Sequence, residues 1–107
     1  MTRIAFTIQA ERITGFHSSG HSGYADQGAD IVCAAITAAI RMAECTINDV
    51  LGANARTRVN EADAAITLTL PKSCDQEEAV QAVLTGLMLT LCELRDEYPE
   101  YLEVMEV

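Results

Sequence analysis

The sequence has no tryptophan, only 2 prolines, and aromatic side chains at just 5% of its 107 positions. A collagen-like or proline-rich chain is thereby excluded. Positive charge is scarce too. Seven Lys and Arg stand against 16 Asp and Glu, for a net charge of -9. Nucleic acid and anionic membranes are excluded as unaided partners, because their phosphates repel such a surface. A basic protein or peptide is attracted instead. No uninterrupted run of about 18 apolar residues occurs, so no transmembrane helix is expected. Nor is there a CxxC pair among Cys33, Cys45, Cys74 and Cys92. The four are expected to be reduced thiols, each by default a small buried hydrophobe. The opening stretch alternates and carries Arg3, Glu11 and Arg12, unlike an export signal, so a cytosolic location is expected.

What is abundant is apolar content, at 50%. That is enough for a packed core, and the length predicts one domain over residues 1–107. Ile4, Phe6 and Ile8 alternate with Ala5, Thr7 and Gln9, as in a half-buried strand over 3–9. A second strand is expected over 12–18 after a tight turn at Ala10-Glu11. Residues 18–28 hold three serines or glycines before His21 and three after it, with no apolar period, and read as a loop. Asp30 is a good N-cap residue. Beyond it Val32, Ile36, Ala39, Ile40, Ala43, Ile47, Val50 and Leu51 form a helical stripe that Gly52 ends. Strands are expected over 57–61 and 64–70, stopped by Pro71. A helix over 75–97 buries Val80, Val83, Leu84, Leu87, Leu91 and Leu94, with acidic residues in its first turn. Tyr98-Pro99 breaks it, and a last strand is expected over 101–107. The order ββαββαβ predicts an α+β fold, a mixed sheet with both helices packed on one face.

Charge is uneven. Residues 1–53 carry 3 basic and 5 acidic groups, and residues 54–107 carry 4 and 11. A solvated face on the second helix and tail is the plainer account, and a docking face for a basic partner is the functional one.

The chemistry concentrates around Cys33. It lies three residues past Asp30, in the first helical turn, where unpaired N–H groups and the positive end of the helix dipole favour a thiolate. His21 precedes it by 12 residues, at the start of a glycine-containing loop able to fold back over the helix. Sulfur attacks as thiolate and an amine leaves only when protonated, so this pair suits acyl transfer. By spacing alone, a cysteine at a helix start is more often a core residue and a lone histidine more often structural. His17, His21 and Cys33 also suggest a zinc site, but no metal-ligand spacing supports one and no metal or cofactor is expected. Met42, Met88 and Met105, with the other three cysteines, are assigned to packing.

Taken together, Gly20-His21 and Gly28-x-Asp30-Ile31-Val32-Cys33-Ala34-Ala35 resemble the ribosomal-processing cysteine proteases, the Prp family. The likeness extends through Ile13-Thr14-Gly15-Phe16 and the Glu97-Tyr98-Pro99 ending. The resemblance implies a cytosolic thiol endopeptidase with a Cys–His dyad. It implies a substrate, the N-terminal extension of a large-subunit ribosomal protein, cut after an aromatic pair, and a role in ribosome assembly. It also implies a homodimer and a loop that covers the site. By motif position His21 is the base and Cys33 the nucleophile, supported by Gly20, Asp30 and Thr37. Ser22, Gly23, Tyr24 and Gly28 belong to the covering loop.

This chain departs from the family pattern at Ser22, where alanine is usual, and at Thr37, where serine is. Thr37 lies one turn beyond Cys33; its hydroxyl either reaches the sulfur or back-bonds to the Cys33 carbonyl, and back-bonding is slightly favoured. Asp30 either caps the helix or orients His21 as the third member of a triad. Tyr24 is either a lid residue or ordinary loop packing. A noncatalytic acidic adaptor for basic ribosomal proteins fits the composition equally well. A thiol redox sensor fits less well, since no resolving cysteine is near Cys33 in sequence. Selective alkylation of Cys33 separates enzyme from adaptor.

Overall fold

The structure, a computed structural model, describes residues 1–26 and 29–107. Gly28, assigned above to the covering loop, lies outside the described residues.

Strands β1 (Thr2–Gln9) and β2 (Arg12–Ser19) form the expected hairpin. Its two turn residues, Ala10 and Glu11, take positive φ of 50° and 65°, the backbone geometry that matches the twist of a two-residue hairpin. Helix α1 (Ile31–Cys45) follows, then β3 (Arg56–Asn60), β4 (Ala65–Thr69), helix α2 (Glu77–Glu97) and β5 (Leu102–Glu106). The five strands make one sheet in the order β3-β4-β2-β1-β5. Every neighbouring pair is antiparallel except β1 with β5, so the sheet is mixed, as expected.

The inward side chains of the sheet are Ile4, Phe6, Ile13, Phe16, Leu68 and Leu102. They share one core with Val32, Ile36 and Ile40 of α1 and with Val80, Leu84, Leu87 and Leu91 of α2. Both helices therefore cover the same face. The ladder places His17 beside Ala5 and Thr67, one residue out of phase with the buried Phe16 and Ser18. His17 thus faces the opposite, uncovered side, where its Nδ1 lies 2.7 Å from Thr67 Oγ1.

Beyond the last β2–β4 pair, Gly15 with Thr69, α2 takes over the pairing. The Gln81 amide accepts from Ile13 N–H and donates to Ile13 C=O, both at 2.8 Å. Arg12 forms an ion pair with Glu77 and donates to Pro71 C=O at 2.8 Å. These contacts tie the start of β2 to the first turns of α2 and leave the other end of β2, which carries the site, pointing at α1.

Three expectations are corrected. The first helix is not α-helical to its end: Thr46–Val50 is a π turn, closed by Leu51 N–H on Thr46 C=O at 2.9 Å. Thr46 Oγ1 bonds back to Met42 C=O at 2.8 Å, which competes with the regular ladder. Gly52 then ends the helix at φ 63°. Second, Cys45 is exposed and Met42 is 60% exposed, so neither is a packing residue; both fall off the buried stripe. Third, Val50, placed on the apolar stripe, is 70% exposed. By length and composition alone the helix over Ile31–Val50 is apolar enough to cross a membrane, with mean hydropathy 1.4 and 28% of that stretch buried. Val32, Ile36, Ile40 and Ile47 are buried in the core, while Ile31 and the alanines at 34, 35 and 38 are exposed on the outer side.

Candidate active site

Asp30 organises the site. Its backbone is extended (φ -84°, ψ 101°), and Oδ1 accepts the Cys33 N–H at 2.9 Å, closing the first turn of α1. Its other oxygen, Oδ2, accepts from the Ser22 hydroxyl in a short hydrogen bond and from Tyr24 N–H at 3.2 Å. One buried carboxylate thus caps the helix and fixes the loop after His21. Burial pushes this carboxyl up, but the bonds from Ser22 and from the Cys33 N–H outweigh it and hold it at about 2 against 3.8. Of the two roles open to Asp30, the structure shows capping. Among the described residues, its hydrogen-bond donors are Ser22, Tyr24 and Cys33, not His21.

A pH test follows. A folded-state value below the unfolded one gives stabilisation that is complete above 3.8 and lost as pH falls toward about 2. Asn in place of Asp30 still caps but does not titrate. The stability difference between wild type and Asp30→Asn, from urea unfolding at pH 6 and pH 2.5, should therefore shrink on acidification. An unchanged difference would contradict the ionised cap.

The same loop delivers a donor to the sulfur. Ser22 N–H points at Cys33 Sγ with an N···S distance of 3.3 Å, and the thiol is half-buried. The segment is anchored outward by Tyr24, whose ring meets Tyr98 and Tyr101 edge-on at 5.6 and 5.3 Å. Tyr24 is therefore a packing contact for the loop in this structure.

Gly20 connects the loop to the sheet. Its C=O accepts from Thr2 Oγ1 at 3.0 Å and its N–H donates to Asp63 C=O at 3.2 Å. With φ 86°, a Cβ here would also lie 2.7 Å from the Met1 carbonyl oxygen. Gly20→Ala is therefore expected to shift His21 and lower activity at least tenfold, with a loss of about 1–3 kcal/mol in stability. Full activity in the alanine variant, measured beside its Tm, would show that the placement of His21 does not depend on this backbone.

Two grooves meet at Cys33. One, about 330 Å³, is lined by Ile36, Ile40, Ile66, Ala64 and Ala65 together with Gly20. The other, about 520 Å³, is lined by Ala25, Asp30, Ala34, Ala38 and Arg41. His21, Cys33 and Thr37 line both. The structure thus brings Gly20, His21, Asp30, Cys33 and Thr37 together. It does not include His17, which faces the far side of the sheet, so the imagined zinc trio does not converge. Among the described residues no hydrogen bond joins His21 to Cys33, and none engages the Thr37 hydroxyl. The favoured back-bond of Thr37 is not made; the hydroxyl is exposed in the groove.

Burial and Glu77 push Cys74 up, and a bond to Asp49 with burial pushes Cys45 up. Sequence reasoning missed the Ser22 N–H, the isoleucine groove and Arg41. Only Arg41 had a readable signal, the spacing Cys33, Thr37, Arg41 along one helix side.

Residues 1–103 match the sequence profile of the family described as Cysteine protease Prp. The ribosomal processing cysteine protease Prp of Bacillus subtilis is 27% identical over 94 residues, spanning 86% of this chain and 84% of that protein. Prp from S. aureus, solved with a covalently linked product peptide, superposes with a TM-score of 0.91 at 19% identity. The same S. aureus protease with a substrate peptide gives 0.86 at 18%. Both structures are covered completely, as is this chain.

Proposed function

The chain belongs to the Prp family of cysteine proteases, and from that premise we propose that it removes the N-terminal extension of a large-subunit ribosomal protein through Cys33 and His21. The observation that carries this reading is that the two side chains line the same pair of grooves, with the Ser22 N–H aimed at the sulfur.

The Cys33 thiolate attacks the carbonyl carbon of the scissile peptide. An oxyanion forms, the C–N bond breaks, and His21 protonates the leaving amine. Water, deprotonated by His21, then hydrolyses the thioester and frees the carboxylate and the thiol. The backbone N–H groups at the start of α1 are the nearest candidates to stabilise that oxyanion. Two of those amides are already engaged: Cys33 N–H on Asp30 Oδ1 and Ala34 N–H on Asp30 C=O at 3.1 Å. Ser22 N–H, already directed at the sulfur, is the better-placed donor. The isoleucine groove accepts an apolar side chain of the substrate beside the scissile bond. His21, exposed and free of Cys33, closes onto the sulfur when substrate fills the grooves.

The net charge of -9 attracts a basic ribosomal protein over long range, so binding weakens with salt. A cytosolic homodimer belongs to the same proposal. Exposed Ile31, Met42 and Leu89 on the two helices support an association face. The deciding experiment incubates the protein with an N-terminally extended large-subunit ribosomal protein and follows its mass. A shortened product is expected. An intact substrate, with Cys33 alkylated no faster than Cys45, Cys74 and Cys92, would favour the adaptor instead.

A further inference from the structure

Arg41 is the cationic side chain of the second groove, and it has no role in the chemistry above. It is exposed on α1, and among the described residues the ion pairs are Arg12–Glu77 and Arg95–Asp96, neither of which involves it. The groove's carboxylate, Asp30, is fully engaged by Cys33, Ser22 and Tyr24. The groove therefore ends in an unneutralised guanidinium.

Helix geometry sets its reach. At about 100° per residue, Thr37 falls some 40° from Cys33, so the two form a ridge along α1. Ile36 and Ile40 fall on one side of that ridge, and Ala34, Ala38 and Arg41 on the other. The alanines make a shallow floor that lets a peptide backbone approach. Arg41 is eight residues beyond Cys33, roughly 12 Å along the axis. An extended peptide covers that distance in about three to four residues.

We propose that Arg41 is a specificity determinant, receiving an acidic side chain of the substrate three to four residues from the scissile bond. That residue lies on the side opposite the apolar residue held by the isoleucine groove. This rests on the protease reading only for the location of the cut. The ligand chemistry, a peptide carboxylate, follows from the groove itself.

The probe is a set of ten-residue peptides with an aromatic pair before the scissile bond and Glu, Gln or Lys placed in turn at each other position. Wild type should cleave the Glu peptide about three- to tenfold better than the Lys peptide at one position in that window. Arg41→Glu, a change at an exposed position outside the ion pairs of the described residues, should reverse the preference at that position alone. An identical profile in both enzymes would overturn the assignment. Binding of the same peptides to Cys33→Ala and to Cys33→Ala/Arg41→Glu, read by fluorescence anisotropy, keeps the two readings apart. Charge-reversed binding without any cleavage by wild type would sink the protease reading and leave Arg41 standing. Cleavage with no charge preference in either assay would do the opposite.

Discussion

A Cys33→Ala variant is expected to fold as the parent does and to lose peptide cleavage by about four to six orders of magnitude, the cost of deleting a covalent nucleophile. The sulfur is half-buried and accepts one long bond from Ser22 N–H. Its removal opens no cavity in the core, so stability should change by less than about 1 kcal/mol. Circular dichroism and Tm report the fold, and mass spectrometry of the product reports activity. Continued cleavage at even one hundredth of the parental rate would reject Cys33 as the attacking group. His21→Ala should cost less, about 10²–10⁴-fold, because water and buffer substitute in part for a proton donor. Alkylation at mildly acidic pH adds an independent readout. Cys74 and Cys45 are pushed up, by burial with Glu77 and by Asp49 with burial. Both should label slowly, whereas the thiol at the helix start, facing an N–H donor, should label first. Equal labelling of all four would point away from the assigned nucleophile.

Phe6→Ala should produce the largest loss of stability, about 3–5 kcal/mol. Phe6 is 0% exposed on β1, a strand paired on one side with β2 and on the other with β5. Its ring packs against Phe16 with centroids 5.8 Å apart. Truncation removes that contact and leaves a void where neither neighbouring strand can close in without losing its ladder. Against a typical total of about 5–15 kcal/mol, such a loss is a large share. Denaturant unfolding measures it directly. Met42→Ala, at a position 60% exposed, should stay within about 0.5 kcal/mol. Equal costs at the two positions would mean that the core is not where the inward faces of the strands place it.

The elements were legible because each carries its own period. Alternation in β1, the stripe from Val32 to Ile47, and the punctuation by Gly52, Pro71 and Pro99 depend only on neighbours in sequence. The π turn was not legible, because Thr46 back-bonding competes with the ladder by a margin that no apolar pattern records. Nor was the exposure of Met42 and Cys45, which turns on how far around α1 the sheet and α2 extend.

The amino-acid sequence alone determined the α+β order, the acidic balance and the placing of Cys33 at a helix start behind its cap, since these are properties of local spacing. Only the tertiary structure decided what surrounds that sulfur. It settled the division of Asp30 between cap and loop, the aim of Ser22 N–H, the exclusion of His17, and the two grooves with Arg41 at one end. These depend on which strand lies beside which and on how a loop of glycine and serine returns to the helix, and such long-range contacts leave no period in a chain for a reader to find.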